Sequence, residues 1–247
     1  MDSKPDAPTY EELSRALEQE EKAYRELSLL NYSVAHDLRA PVRNVQGFTQ
    51  ILLDKHAAQL SEEAKGYLRR MQGAGRAMEL LIDALLRLVS LPRGEVRRVD
   101  VDLSAAAEAV AAGLRRGEPA RQAEFVIQPG MKALGDPKLL HELLGNLLTN
   151  AWKFTSRHPR ARIEVGTALY KGKTAYFVRD DGAGFDPLHA GKLFIPLQRL
   201  HGSEFPGVGA GLAIVSRIAS LHGGRVAAEG NVEKGATFYF TLSASPG

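Results

Sequence analysis

The sequence predicts a two-domain α+β protein. An N-terminal helical hairpin pairs with a second copy as a dimeric four-helix bundle, and an α/β-sandwich domain follows. Three observations predict this. From Tyr10 to about Val89 apolar residues recur at heptad spacing and strand character is nearly absent. The run Leu91-Pro92-Arg93-Gly94 stops that pattern. Beyond it, short β-branched and aromatic runs alternate with amphipathic helical stretches, the signature of helices on one face of a mixed sheet. The boundary therefore falls between residues 1–94 and 95–247.

In the first helix Leu13, Leu17, Tyr24, Leu27, Val34, Leu38, Val45, Phe48 and Leu52 take the a and d sites, with Glu20, Asn31 and Pro41 filling the remaining seam positions. A polar break at His56 to Ser61 turns the chain. Ala64, Leu68, Met71, Gly75, Met78, Ile82, Leu85 and Val89 then continue the rule. Two such helices share too little core to stand alone, so a homodimer is expected. Pro41 lacks an N–H and is expected to kink or loosen the first helix. In the second domain strands are expected at Val96 to Val101, Glu124 to Gln128, Arg162 to Leu169, Thr174 to Arg179, Arg225 to Ala228 and Thr237 to Leu242. Helices are expected at Leu103 to Arg116, Pro137 to Phe154 (after an Asp136 N-cap) and Ala210 to His222.

Composition excludes several function classes. The net charge of +3, without a dense Lys/Arg run, argues against nucleic acid as the main partner. The absence of cysteine removes disulfide and thiolate chemistry. No apolar run approaches the roughly 20 residues of a membrane span, and Met1 to Pro8 carry no signal-peptide core. The expectation is a soluble, cytoplasmic chain whose sensor module is not part of it.

Within the first helix lies Val34-Ala35-His36-Asp37-Leu38-Arg39-Ala40-Pro41. With Val34 at d and Leu38 at a, His36 falls at f and points away from the seam. An outward imidazole beside Asp37 can have Nδ1–H held by the carboxylate, leaving Nε2 as a nucleophile.

The predicted helix Pro137 to Phe154 places Glu142, Asn146 and Asn150 on one face at four-residue steps, with Lys153 alongside. Asparagine carbonyls are neutral oxygen ligands suited to Mg²⁺, and the lysine offers a cation to phosphate. About thirty residues on, Asp180-Asp181-Gly182-Ala183-Gly184 ends a predicted strand. A carboxylate there can accept from adenine's exocyclic amine while glycine backbone approaches the ring. Gly207-Val-Gly209-Ala-Gly211-Leu212 precedes a helix, so backbone N–H groups and a positive dipole end face phosphate.

These segments carry a resemblance. His36-Asp-Leu-Arg-Ala-Pro41 resembles the H box of dimerising histidine kinase domains, and Asn146 to Phe154 resembles the N box of Bergerat-fold ATPases. Lys192 to His201 is similar to the F box, and Gly235-Ala236-Thr237-Phe238 to the last glycine box. The resemblance covers about Leu27 to Leu242, with the motifs in order. It implies that ATP and Mg²⁺ bind the second domain, with Asn150 and Asn146 on the metal. It implies that Asp180 reads adenine, Thr237 lies near it, and Arg199 serves the γ-phosphate within a glycine-hinged lid. It further implies that His36 accepts phosphate, that Asp37 acts as its base, and that an aspartate on a response regulator receiver domain is the final acceptor. Ala40 stands where relatives often carry Thr or Asn, which implies weak phosphatase activity.

Two alternatives remain at this point. One is a Bergerat-fold ATPase driving conformational change; there a glutamate general base sits where this chain has Asn146, and an amide cannot serve. The other is a non-catalytic coiled-coil scaffold with a vestigial site, which the asparagines, lysine, aspartate and glycines oppose.

Overall fold

A computed structural model gives the fold and describes residues 9–92, 96–198, 205 and 207–243; of part of the first helix, up to residue 28, it describes only the backbone. The chain divides into two compact units, Met1–Ser90 and Leu91–Gly247.

The first unit is a helical hairpin. Helix α1 spans Tyr10–Lys55, a single 3₁₀ turn covers Ala57–Gln59, and α2 spans Glu62–Ser90. Ser61 starts α2 by accepting the Ala64 N–H on its hydroxyl at 3.1 Å. Helix α1 runs unbroken through Pro41, so the expected loosening does not interrupt it. The proline costs one backbone hydrogen bond, which an exposed helix face leaves to water.

The seam between α1 and α2 differs from the expected one. It runs along Ala35, Arg39, Val42, Gln46, Thr49 and Leu53 of α1, each buried or half-buried. The facing row is Leu68, Gln72, Gly75, Glu79, Ile82 and Leu86 of α2. Arg39 donates to Asp83 across the seam at 2.6 Å, Gln72 to Gln50 at 2.6 Å. Gly75 lets the helices close up, since a Cβ there would lie 2.7 Å from Cγ of Gln46. Both rows keep heptad spacing; the α1 row starts one residue after Val34, while the α2 row keeps the expected Leu68, Gly75 and Ile82 and takes Gln72, Glu79 and Leu86 in place of Met71, Met78 and Leu85. The large apolar residues Val34, Leu38, Val45, Phe48 and Leu52 are exposed, as are Tyr67, Met71 and Met78 of α2. The side chains of Leu13, Leu17, Tyr24 and Leu27 lie outside the described residues. At about 100° of turn per residue, both open rows are rotated from the seam in the same sense. Because the helices are antiparallel, both therefore lie on one side of the hairpin and form a continuous apolar face. His36 is rotated the opposite way, onto the other side.

The second unit is a sheet layered with helices. In chain order it contains β1 (Val99–Asp102), α3 (Leu103–Gly117), β2 (Ala123–Ile127), β3 (Lys132–Gly135) and α4 (Pro137–Phe154). These are followed by β4 (Ala161–Tyr170), β5 (Lys173–Asp180), a 3₁₀ segment Pro187–Lys192, α5 (Gly211–Leu221), β6 (Val226–Gly230) and β7 (Ala236–Phe240). A five-stranded sheet has the order β2-β4-β5-β7-β6, with β2 parallel to β4 and the other pairs antiparallel. A separate antiparallel pair joins β1 and β3. Strand β3 was not expected from the sequence.

Helix α4 is set by its ends. Asp136 Oδ1 accepts from the N–H of Lys138 and Leu139, Pro137 starts the first turn, and Thr155 closes the last. Its leucines Leu140, Leu143, Leu144, Leu147 and Leu148 are buried with Ile163, Val165, Val178, Phe238 and Phe240 of the sheet. The polar face of α4 is thereby turned away from the sheet. The other face of the sheet carries the ladder Glu124–Arg162–Glu164–Arg179 and the stacked rings of Tyr170 and Tyr239.

Candidate functional site

In the first unit the His36 side chain is 73% exposed, and its Nδ1 lies 3.2 Å from Asp37 Oδ1. A carboxylate only accepts, so this contact places the ring hydrogen on Nδ1 and leaves a lone pair on Nε2. Ala40, one turn on, is exposed and offers only a methyl group beside the histidine.

In the second unit α4 and the glycine segments converge. Asp180 ends β5 and is 4% exposed. Its Oδ1 accepts the Gly182 N–H at 3.0 Å. Burial pushes its pKa up to about 7; the Gly182 and Ala236 N–H groups pull it down, and the neighbouring Asp181 pushes it further up. Ala183 N–H donates to the Phe154 carbonyl at 3.1 Å, which ties this corner to the end of α4. The turn needs glycine twice. Gly184 has φ +61° and Gly235 φ +82°, and a Cβ would collide with the Asn231 carbonyl at the first and with the Asp180 carbonyl at the second. Asp180, Gly182, Gly184 and Phe154 thus occupy one corner.

The second glycine segment meets the polar face of α4. A Cβ on Gly211, the first residue of α5, would lie 2.9 Å from Asn146 Oδ1, while Asn146 Nδ2 donates to the Glu142 carbonyl at 2.9 Å. A Cβ on Gly207 would lie 3.4 Å from Lys153 Nζ. Gly209 has φ +77° and packs against the Gln198 backbone, and its carbonyl accepts the Leu197 N–H at 3.1 Å. Phe205 was not anticipated. It is buried and meets Phe154 edge to face at 5.0 Å, with Lys153 Nζ 4.2 Å over the Phe154 ring. Its position between the two boxes was the available signal. Leu212 is buried, Glu142 and Asn150 are half-buried, and Arg199 lies outside the described residues.

Thr237 is placed differently from the expectation. In the β5–β7 register Asp180 faces Ala236, and Thr237 faces Arg179. Side chains alternate along a strand, so Thr237 projects to the opposite side of the sheet from Asp180. There its hydroxyl accepts from Arg179 Nε at 3.2 Å.

The residues fit a nucleoside triphosphate with a hard divalent cation. The corner at Asp180 offers a buried acceptor beside close-packed glycine backbone. The α4 face offers neutral amide oxygens, a lysine and a half-buried carboxylate. Among the described residues no group of three or more His, Cys, Asp or Glu could hold a metal by itself, so a cation here would take oxygen ligands from phosphate and water. No helix among the described residues is long and apolar enough to cross a membrane.

Comparison with known proteins agrees with this arrangement. Residues 26–94 match the His Kinase A (phospho-acceptor) domain, and residues 135–246 match the histidine kinase-, DNA gyrase B- and HSP90-like ATPase domain. Cyanobacterial phytochrome A of Nostoc sp. is 29% identical over 94% of this chain and 30% of its own length. The sensor histidine kinase TrcS of Mycobacterium tuberculosis is 33% identical over 79% of this chain and 40% of its own length. The chain thus spans well under half of these relatives. The solved full-length ShkA in complex with AMPPNP shares the fold, with a TM-score of 0.58 at 24% identity over 87% of this chain and 46% of that one. With a phosphoacceptor domain followed by an ATPase domain of this class, the chain belongs to the sensor histidine kinases, of which it is the catalytic core.

Proposed function

We propose that the chain uses ATP to phosphorylate His36 and passes the phosphoryl group to an aspartate of a response regulator receiver domain, working as a homodimer. The observation that carries this reading is the outward imidazole with Nδ1 against Asp37, in a chain that also holds the glycine-and-asparagine site. The Nε2 lone pair attacks the γ-phosphorus, the bond to the β,γ-bridging oxygen breaks, and ADP leaves. The phosphorylated ring then sheds its Nδ1 proton toward Asp37. Little covalent chemistry is asked of the protein, so positioning and charge neutralisation provide the acceleration.

Asp180 accepts from the adenine amine, and Phe154, Gly182 and Gly184 bound the ring. Asn150, Asn146 and Glu142 serve the Mg²⁺ side, where the ion would neutralise phosphate charge. Lys153 and Arg199 bind phosphate oxygens. Gly207, Gly209, Gly211 and Leu212 form a lid that excludes water. Asn146 replaces the general base of water-activating relatives, and its amide N–H already donates to the Glu142 carbonyl. Dimerisation is supported by the apolar face of the hairpin, and Ala40 supports weak dephosphorylation of the partner. Incubation with γ-labelled ATP separates the readings. Protein-bound label exceeding free phosphate supports the kinase, and free phosphate alone points to an ATPase.

A further inference from the structure

Apart from the nucleotide corner, the second unit has a cavity of about 680 Å³ that no step above uses. It opens where α3 ends and β2 and β4 begin, and its volume is within the range that takes small ligands. Four arginines line it (Arg115, Arg121, Arg160 and Arg162) together with Glu124 and Asp181.

The two carboxylates are already engaged. Glu124 accepts from Arg162 Nη1 at 3.0 Å, and Asp181 Oδ1 accepts the Arg162 N–H at 3.0 Å. Arg162 also reaches Glu164 at 2.6 Å, so it is spent within the ladder. The other three arginines are not. Arg160 is exposed and makes no hydrogen bond or ion pair among the described residues. Arg115 lies 4.8 Å over the Phe125 ring, a contact that leaves its N–H groups in the guanidinium plane available. Arg121 lies 4.0 Å over Trp152 and donates from Nη2 to Thr155 Oγ1 at 2.8 Å, with Glu118 3.9 Å from Nη1. Its Nε is buried without any acceptor, the one such side-chain atom among the described residues. A buried cationic N–H without an acceptor is costly, and an anion bound beside the guanidinium would offset its charge. Desolvation pulls the Arg121 pKa down, and the distant Glu118 carboxylate offsets only part of that.

We infer that this arginine cavity is an anion site for a small phosphate or phosphate ester, separate from the ATP corner. Guanidinium forks match phosphate oxygens in pairs, which lysines do not. Phe125 and Trp152, stacked at 5.7 Å, hold two of the guanidiniums in place. The inference does not depend on the kinase reading.

The test is calorimetric titration of the whole chain with pyrophosphate in saturating ADP and Mg²⁺, repeated with a nucleoside monophosphate to separate free phosphate from ester. One further equivalent is expected to bind, at least tenfold weaker in Arg115→Ala/Arg160→Ala and unchanged in Lys153→Ala. Preference for pyrophosphate assigns free phosphate, and preference for the monophosphate assigns an ester. No binding overturns the site, as does binding that the double variant retains or that Lys153→Ala removes. If the double variant loses its fold by circular dichroism, Arg160→Glu alone gives the same reading, because that side chain supports no packing.

Discussion

His222 and Asp136 meet in the core of the second unit: the imidazole Nε2 accepts the Asp136 backbone N–H at 3.0 Å, and Nδ1 donates to the Ile218 carbonyl at 2.8 Å. A backbone N–H can only donate, so the ring is the neutral Nδ1–H tautomer. The residue is fully buried, and Gly135 is glycine because a Cβ would sit 2.7 Å from the ring. The contact joins the end of α5 to the N-cap of α4, while Gly211 at the start of α5 packs beside Asn146 in the middle of α4. His222→Phe leaves the Asp136 N–H unmatched and is expected to cost about 1–3 kcal/mol. Urea unfolding checks this, with His222→Gln, which keeps an acceptor, closer to wild type.

Asp180 makes stability depend on pH with a definite sign. Its folded pKa, about 7, lies above the usual carboxylate value of 3.8. Below that ordinary value both states are protonated and the contribution is complete. As pH rises toward 7 the unfolded chain ionises first, so stability falls, with a slope approaching about 1.4 kcal/mol per pH unit. Thermal melts of the nucleotide-free chain from pH 4 to 7 should show this decline, and Asp180→Asn should flatten it. ADP binding should tighten as pH rises through 7, because the ionised carboxylate is the better acceptor for adenine.

Gly209 and Gly235 predict different defects. Gly235→Ala forces a Cβ onto the Asp180 carbonyl in the core turn and should lower stability and abolish ADP binding together. Gly209→Ala strains the segment before α5, so it should weaken ADP binding at least tenfold with a smaller loss of melting temperature. Paired melts and titrations read both.

The exposed apolar row predicts the oligomeric state. Phe48→Asp places a charge at the centre of the face formed with Met71 and Met78. It should dissociate the dimer in sedimentation while the helical circular dichroism of each hairpin persists in part. Val42→Asp, on the internal seam, should instead reduce helicity.

The sequence disclosed these features unequally. Helix α4 was legible to the residue because Asp136, Pro137 and the leucine period all mark it. The hairpin seam was displaced by one residue because heptad reading follows the largest side chains. Here those line the open face, while Ala35 and Thr49 make the close contact in α1; in α2 the heptad did mark Leu68, Gly75 and Ile82. Strand β3 is four residues that pair only with β1, too short to show alternation. The side of the sheet taken by Thr237 depends on the β5–β7 register, and composition near Gly235 does not reveal it. The glycines and Asp180 were legible because few residue types tolerate those positions.

The role of His36 as phosphoacceptor is tested by the acid and base stability of label from γ-labelled ATP on wild type and His36→Gln. Acid-labile, base-stable label is expected on the wild-type chain and none on the variant, with ADP affinity unchanged between them. Equal label on His36→Gln would contradict it.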